Sequence, residues 1–191
     1  MNKYILASSN KNKIREITSQ VKTVNLLSLS DLGYFGEINE TGLTLRENAL
    51  LKAQTIYQIY HIDTIADDTG LEVDCLSGEP GVFSARYAGP HGDAQLNIKK
   101  LLNKMGNNRN RKAQFRTVIC LKTIAQELFF EGVCDGHISH KPMGVNGFGY
   151  DSVFIPSGYK KTFAQMSLLE KNKISHRFKA VSRLINYLQS I

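Results

Sequence analysis

Short apolar runs alternate with amphipathic stretches of helical period along this chain, and the pattern outlines its elements. Lys3 to Ala7 reads as a short buried strand, followed by a polar loop and a helix from about Asn12 to Val21. The stretch TLRE, Thr44 to Glu47, is a capping box, in which the Thr hydroxyl and the Glu carboxylate satisfy each other's orphan backbone N–H groups. Behind it Leu45, Ala49, Ala53, Ile56, Tyr57 and Tyr60 recur at helical spacing, which predicts a long amphipathic helix to about Tyr60. DTIADD then reads as a buried strand that stops at paired acids, and LEVDCL as a second extended piece. Gly78, Pro80 and Gly81 mark a loop before VFSARYAG.

From Asp93 a further helix carries Ile98, Leu101, Leu102 and Met105 on one side and ends near Gly106. AQFRTVICL and LFFEGVCDGHIS, separated by KTIAQE, read as an antiparallel hairpin. The glycine-rich MGVNGFGYD follows, then a short strand, SVFI. Two last helical pieces begin at SLLE, another capping-box pattern, and at Ser175, where Phe178, Val181, Leu184, Ile185 and Leu188 form the buried stripe. Helices and strands interleave, yet one hairpin is antiparallel. The expectation is an α/β fold with a mixed, twisted central sheet flanked by helices.

Composition narrows the class without naming a function. At 191 residues, 42% hydrophobic and 21% charged, the chain suits a single domain over 1–191 with a well-buried core. It enters a strand pattern by Lys3 without the basic, apolar, small-residue plan of a signal peptide, so a cytoplasmic location and no membrane partner are expected. Cys75, Cys120 and Cys134 are odd in number and widely spaced, which argues for free thiols over a disulfide framework or a zinc site. A formal charge of +7 suits nucleic acid, an anionic metabolite or a solvated basic surface, and no recognisable nucleic-acid module accompanies it.

Four stretches could carry chemistry. Ser8, Ser9, Asn10, Lys11, Asn12 and Lys13 form a polar loop between a strand and a helix. Such a loop aims N–H groups and the positive end of the helix dipole outward, a ready phosphate site, although capping residues look the same. Asp67 and Asp68 end an apolar strand. Strand neighbours point to opposite faces, so one carboxylate can face a site, as a Mg²⁺ ligand for example, while the other makes structural hydrogen bonds; a turn-forming pair is the alternative. Ser175, as N-cap, puts His176 and Arg177 at a helix N-terminus, where cations are disfavoured unless an acceptor waits, a solvated first turn being the other reading. In GFGYD, Phe148 could lie flat on a base or sit in the core. His61, His91, His137 and His140 show no metal-ligand spacing.

Taken in order, SSNKNK, ETG, ENALLKA, ADDTGLEVD, GEPGVFSARYAG, FGYDSVF and EKNKISHR resemble the inosine triphosphate pyrophosphatases, the noncanonical purine nucleoside triphosphate pyrophosphatase family, over nearly the whole chain. The resemblance implies an elongated, two-lobed fold around a central cleft and a homodimer. It implies a Mg²⁺-dependent hydrolase that splits ITP, dITP or XTP between the α and β phosphates into monophosphate and pyrophosphate. Position by position, Ser8 to Lys13 becomes the phosphate loop. Asp68 becomes metal ligand and proton acceptor, with Glu40 as its metal partner. Thr69, Phe148, Gly149, Tyr150, Asp151, Lys171, His176 and Arg177 become substrate contacts, and Lys52 a further phosphate-facing lysine. Thr69 and Ser152 stand where the family commonly has Ser and Pro, and neither change removes a group the reaction needs. On this scheme Arg177 and His176 donate to the 6-oxo group of the base, so that adenine, with an amino group there, is rejected. A pyrophosphatase of the Maf type acting on pyrimidine triphosphates, and a non-catalytic nucleotide- or nucleic-acid-binding module, are the alternatives.

Overall fold

The structure is a computed structural model that describes residues 3–21, 23–89 and 92–190. The elements run β1 (Lys3–Leu6), α1 (Lys11–Thr18), β2 (Asn25–Ser28), α2 (Leu45–Tyr60), β3 (Thr64–Val73), β4 (Pro80–Gly81), α3 (Ala94–Met105), β5 (Lys112–Lys122), β6 (Glu127–Ile138), β7 (Phe154–Pro156), α4 (Leu168–Lys171) and α5 (His176–Gln189). The strands hydrogen-bond in the order β2-β1-β3-β5-β6-β7, with β4 on β3. β1 is parallel to both β2 and β3, whereas β4 pairs antiparallel with β3 and β7 with β6. The sheet is mixed, as the interleaved pattern predicts.

The chain divides into two compact units, the first Met1–Asp68, Thr117–Gly132 and Arg177–Ile191, the second Thr69–Arg116 and Val133–His176. Each closes a core of its own. In the first, Leu6, Ile17, Ile65, Ile119, Leu121, Val181 and Leu184 are buried together. In the second, Leu71, Val73, Ile98, Leu101, Phe115, Phe154 and Phe163 are. At roughly 1.5–3 kcal/mol for each large apolar side chain removed from water, these clusters are the main driving force for the fold.

Local signals were accurate where the chemistry is local. Thr44 Oγ1 accepts from Glu47 N at 3.1 Å, and Glu47 Oε2 from Thr44 N at 3.1 Å, so the capping box starts α2 as read. Ser167 and Glu170 do the same for α4. Three differences have physical causes. The first helix spans Lys11–Thr18 rather than about Asn12 to Val21. Asn10 is its N-cap, and Ser19 hydrogen-bonds back to Glu16 O and closes it early. β2 was not expected. It is four residues long, with only two apolar side chains, and exists by pairing with β1. β3 does not stop at Asp67 and Asp68 but runs through them to Val73, because both carboxylates find partners inside the protein. Cys75, Cys120 and Cys134 are free thiols, Cys75 half-buried and the other two buried.

Candidate active site

In the first unit, the acid pair on β3 organises the chemistry. Pleating turns Asp67 and Asp68 to opposite faces of the strand, and each meets a different set of cations. Lys13, on the first turns of α1, places Nζ 3.1 Å from Asp67 Oδ2. Arg177, at the start of α5, donates from Nε and NH2 to the same oxygen at 3.3 Å each and from NH1 to Glu16 Oε2. On the other side Lys52 of α2 lies 2.6 Å from Glu40 Oε1 and 3.2 Å from Asp68 Oδ1, while Asn48, one turn earlier, donates to Asp68 Oδ2 at 3.3 Å. Lys13, Lys52 and Arg177 thus face Glu16, Glu40, Asp67 and Asp68, three positive groups against four negative ones.

Burial and neighbours drive the two aspartates apart. Burial alone would push Asp67 up, but Lys13 and Arg177, with Lys52 behind them, outweigh it and hold its carboxyl well below the usual range. Asp68 goes the other way: burial raises it, Glu40 and Asp67 add to the rise, and Lys52 and Lys13 only partly oppose it. Burial lowers Lys13, against the pull of Asp67. Lys52 is raised, because Asp68 and Glu40 outweigh its desolvation. Asp67 is therefore a fixed structural anion, and Asp68 is the more basic carboxylate.

Asn10 is a capping residue. Its Oδ1 accepts from the amides of Asn12 at 3.0 Å and Lys13 at 3.2 Å, which takes two of the N–H groups expected to face phosphate. Ser9, Asn10 and Lys11 are exposed, and Ser8 and Asn12 half-buried. Arg177 is 1% exposed and donates to Glu16 and Asp67.

The second unit holds the other group of expected contacts. Asp151 Oδ2 accepts from Lys171 Nζ at 2.6 Å and from Phe148 N at 2.9 Å, and both charged side chains are buried. Gly147 makes that turn possible, since its φ is +75° and a Cβ there would lie 2.1 Å from Asp151 Oδ2. The Lys171 ammonium sits 4.8 Å from the centre of the Phe148 ring. Tyr150 is buried and donates to Ser84 O at 2.9 Å. His176 stacks on Phe115 with ring centres 4.5 Å apart. Phe148, Gly149 and Thr69 are half-buried. His61, His137 and His140 are exposed, and His91 lies outside the described residues.

Sequence reasoning missed Glu16 and Asn48. Each left a faint mark: Glu16 is three residues from Lys13 on the same helical face, and Asn48 is four from Lys52, a polar residue inside an apolar stripe. Among the described residues, no group of three or more His, Cys, Asp or Glu is arranged to hold a metal. A hard dication such as Mg²⁺ takes one or two carboxylates and completes its shell with water and phosphate. Glu40 and Asp68 fit that requirement, since their oxygens already converge on one cationic nitrogen.

Alternating strands and helices that gather lysines and carboxylates around the middle of β3 define a mixed-sheet α/β protein with a polyionic site. The chain belongs to the Ham1 family, whose family model matches residues 4–187. It is 50% identical over 187 residues to a Flavobacterium johnsoniae protein named dITP/XTP pyrophosphatase, with 97% of each chain covered. Among solved structures it is similar to the Ham1 protein of Staphylococcus aureus, at 39% identity and a TM-score of 0.91 over 99% of both chains. It is also similar to a HAM1 protein of Coxiella burnetii, at 34% identity and a TM-score of 0.93 over the full length of both.

The buried Asp151–Lys171 pair gives a direct stability test. Asp151→Ala removes the carboxylate facing an ammonium at 3% exposure and is expected to cost about 3–5 kcal/mol in urea unfolding. Combining it with Lys171→Met is expected to recover much of that loss, because the buried positive charge goes with it.

Proposed function

We propose that this protein hydrolyses noncanonical purine nucleoside triphosphates, dITP, XTP and ITP, to the monophosphate and pyrophosphate, with Mg²⁺ as cofactor. The observation that carries the proposal is the Glu40–Lys52–Asp68 bridge, in a chain half identical to a dITP/XTP pyrophosphatase. The same reading takes the protein to be a cytoplasmic homodimer. Among the described residues no helix is long and apolar enough to cross a membrane.

Glu16, Glu40, Asp67 and Asp68 surround Lys13, Lys52 and Arg177, a carboxylate-rich setting that favours a further cation. Glu40 and Asp68 would hold Mg²⁺, which supplies charge neutralisation on the phosphates. Lys13, at 15% side-chain exposure, offers its ammonium to phosphate oxygens at the open end of the polar loop. Lys52 is held between the two carboxylates and faces the charge that moves onto pyrophosphate as the bond between the α-phosphorus and its bridging oxygen breaks. Asp68, the carboxylate that contacts both Lys52 and Asn48, is assigned to accept the proton of the water that attacks the α-phosphorus. Arg177 and Glu16 keep Asp67 in place, and Asp67 keeps Lys13 in place. Arg177 and His176 are proposed to donate to the 6-oxo group of the base, with Arg177 anchored by Glu16 and Asp67.

Pyrophosphate release from a panel of triphosphates, with and without Mg²⁺, tests the reaction, the substrate and the metal together. The expected result is Mg²⁺-dependent release, with dITP and XTP exceeding dATP by about 100-fold or more. Faster release from UTP or dTTP, or none from any triphosphate, would overturn the proposal. Asp68→Asn is expected to lower kcat with Mg²⁺ by well over tenfold, that is by more than about 1.4 kcal/mol in the barrier; turnover within tenfold of wild type would remove Asp68 from both of its roles.

A further inference from the structure

The two carboxylates assigned to the metal reach the site from different parts of the chain. Asp68 stands on a buried strand, but Glu40 is carried by an irregular segment, residues 29–44, with no strand or helix to fix it. Something has to set the distance between them. Asn48 is in position to do so. It is fully buried on α2, and its amide has two ends. Oδ1 accepts from Gly42 N at 2.8 Å, and Nδ2 donates to Asp68 Oδ2 at 3.3 Å. Gly42 lies two residues beyond Glu40, and Asn48 lies one helical turn before Lys52, which bridges Glu40 and Asp68. The contacts close a ring from Glu40 through Gly42, Asn48, Asp68 and Lys52 back to Glu40.

Gly42 supplies the second, independent observation. A Cβ built there would sit 2.7 Å from Asn48 Oδ1, 2.7 Å from Glu47 Cβ and 3.0 Å from Asn48 N. Only a glycine lets the backbone come this near to the start of α2. The approach is needed if the Gly42 amide is to reach the Asn48 side chain.

We propose that Asn48 is a positioning residue for the metal site, a strut whose carboxamide sets Glu40 against Asp68 by holding the Gly42 amide at one end and the Asp68 carboxylate at the other. The inference rests on the activity proposed above. Asn48 touches neither substrate nor metal; it acts by orienting groups that do. Partners of this kind are worth about ten- to hundredfold in metal affinity or activity.

The test uses Asn48→Leu, which keeps the branched outline and removes both hydrogen bonds, and Gly42→Ala, which keeps Asn48 and forces the two apart. Mn²⁺ binding without nucleotide is measured by titration calorimetry, the half-saturating Mg²⁺ concentration and nucleotide KM by pyrophosphate release, and exchange of the Gly42 amide by NMR. The expected result is Mn²⁺ affinity and half-saturating Mg²⁺ weakened at least tenfold in both variants, nucleotide KM at saturating Mg²⁺ within about threefold of wild type, and faster Gly42 exchange in Asn48→Leu. Metal affinity within twofold of wild type in both variants, in folded protein, would overturn the strut even if thermal stability falls. A wild type that releases no pyrophosphate would sink the functional proposal and the strut together; an active wild type with unaltered variants would sink the strut alone.

Discussion

Two adjacent aspartates inside a buried strand are the constraint on which the rest of the site depends. Taking a carboxylate out of water costs several kcal/mol unless cations and hydrogen bonds replace the lost solvent. β3 carries two such groups in succession, and its pleat gives each its own hydrogen-bonding partners. Asp67 is answered from α1 and α5, by Lys13 and Arg177. Asp68 is answered from α2, by Lys52 and Asn48. The demand of two buried charges thus brings the starts of two helices and the middle of a third to one stretch of strand.

From that requirement a division of labour follows. Asp67, held ionised by strong partners, behaves as scaffold. Asp68 is raised by burial, with Glu40 adding to the rise, and it is the carboxylate to which the proposed function gives the metal and the proton. Arg177 braces Asp67. A buried guanidinium flanked by Glu16 and Asp67 leaves its helix-start position, unfavourable for a cation, with an electrostatic reason.

Much of this was legible in the chain, and what was not had a common cause. Caps, amphipathic stripes and the hairpin depend on neighbours a few residues away, and they were read correctly: the α2 capping box, the α5 stripe, the turn at residues 123–126. Asp68, Glu40, Lys13 and Lys52 could be picked out as candidates; the structure joins Glu40, Lys52 and Asp68 and pairs Lys13 with Asp67. Glu16 and the partners of Arg177 were harder to read, because they lie far off in sequence, Arg177 being 161 residues from Glu16. The short edge strand β2 escaped for the same reason. Its pairing with β1, not its own sequence, makes it a strand.

The central claim, that one strand carries a structural and a functional carboxylate side by side, is tested most directly by thermal unfolding of Asp67→Asn and Asp68→Asn in parallel. Asp67→Asn removes the carboxylate that Lys13 and Arg177 share, and is expected to cost about 3–5 kcal/mol, roughly 10 °C for a chain of this size. Asp68→Asn removes a charge crowded by Glu40 and Asp67, and is expected to melt within about 2 °C of wild type or above it. Equal, large losses in both variants would contradict the division.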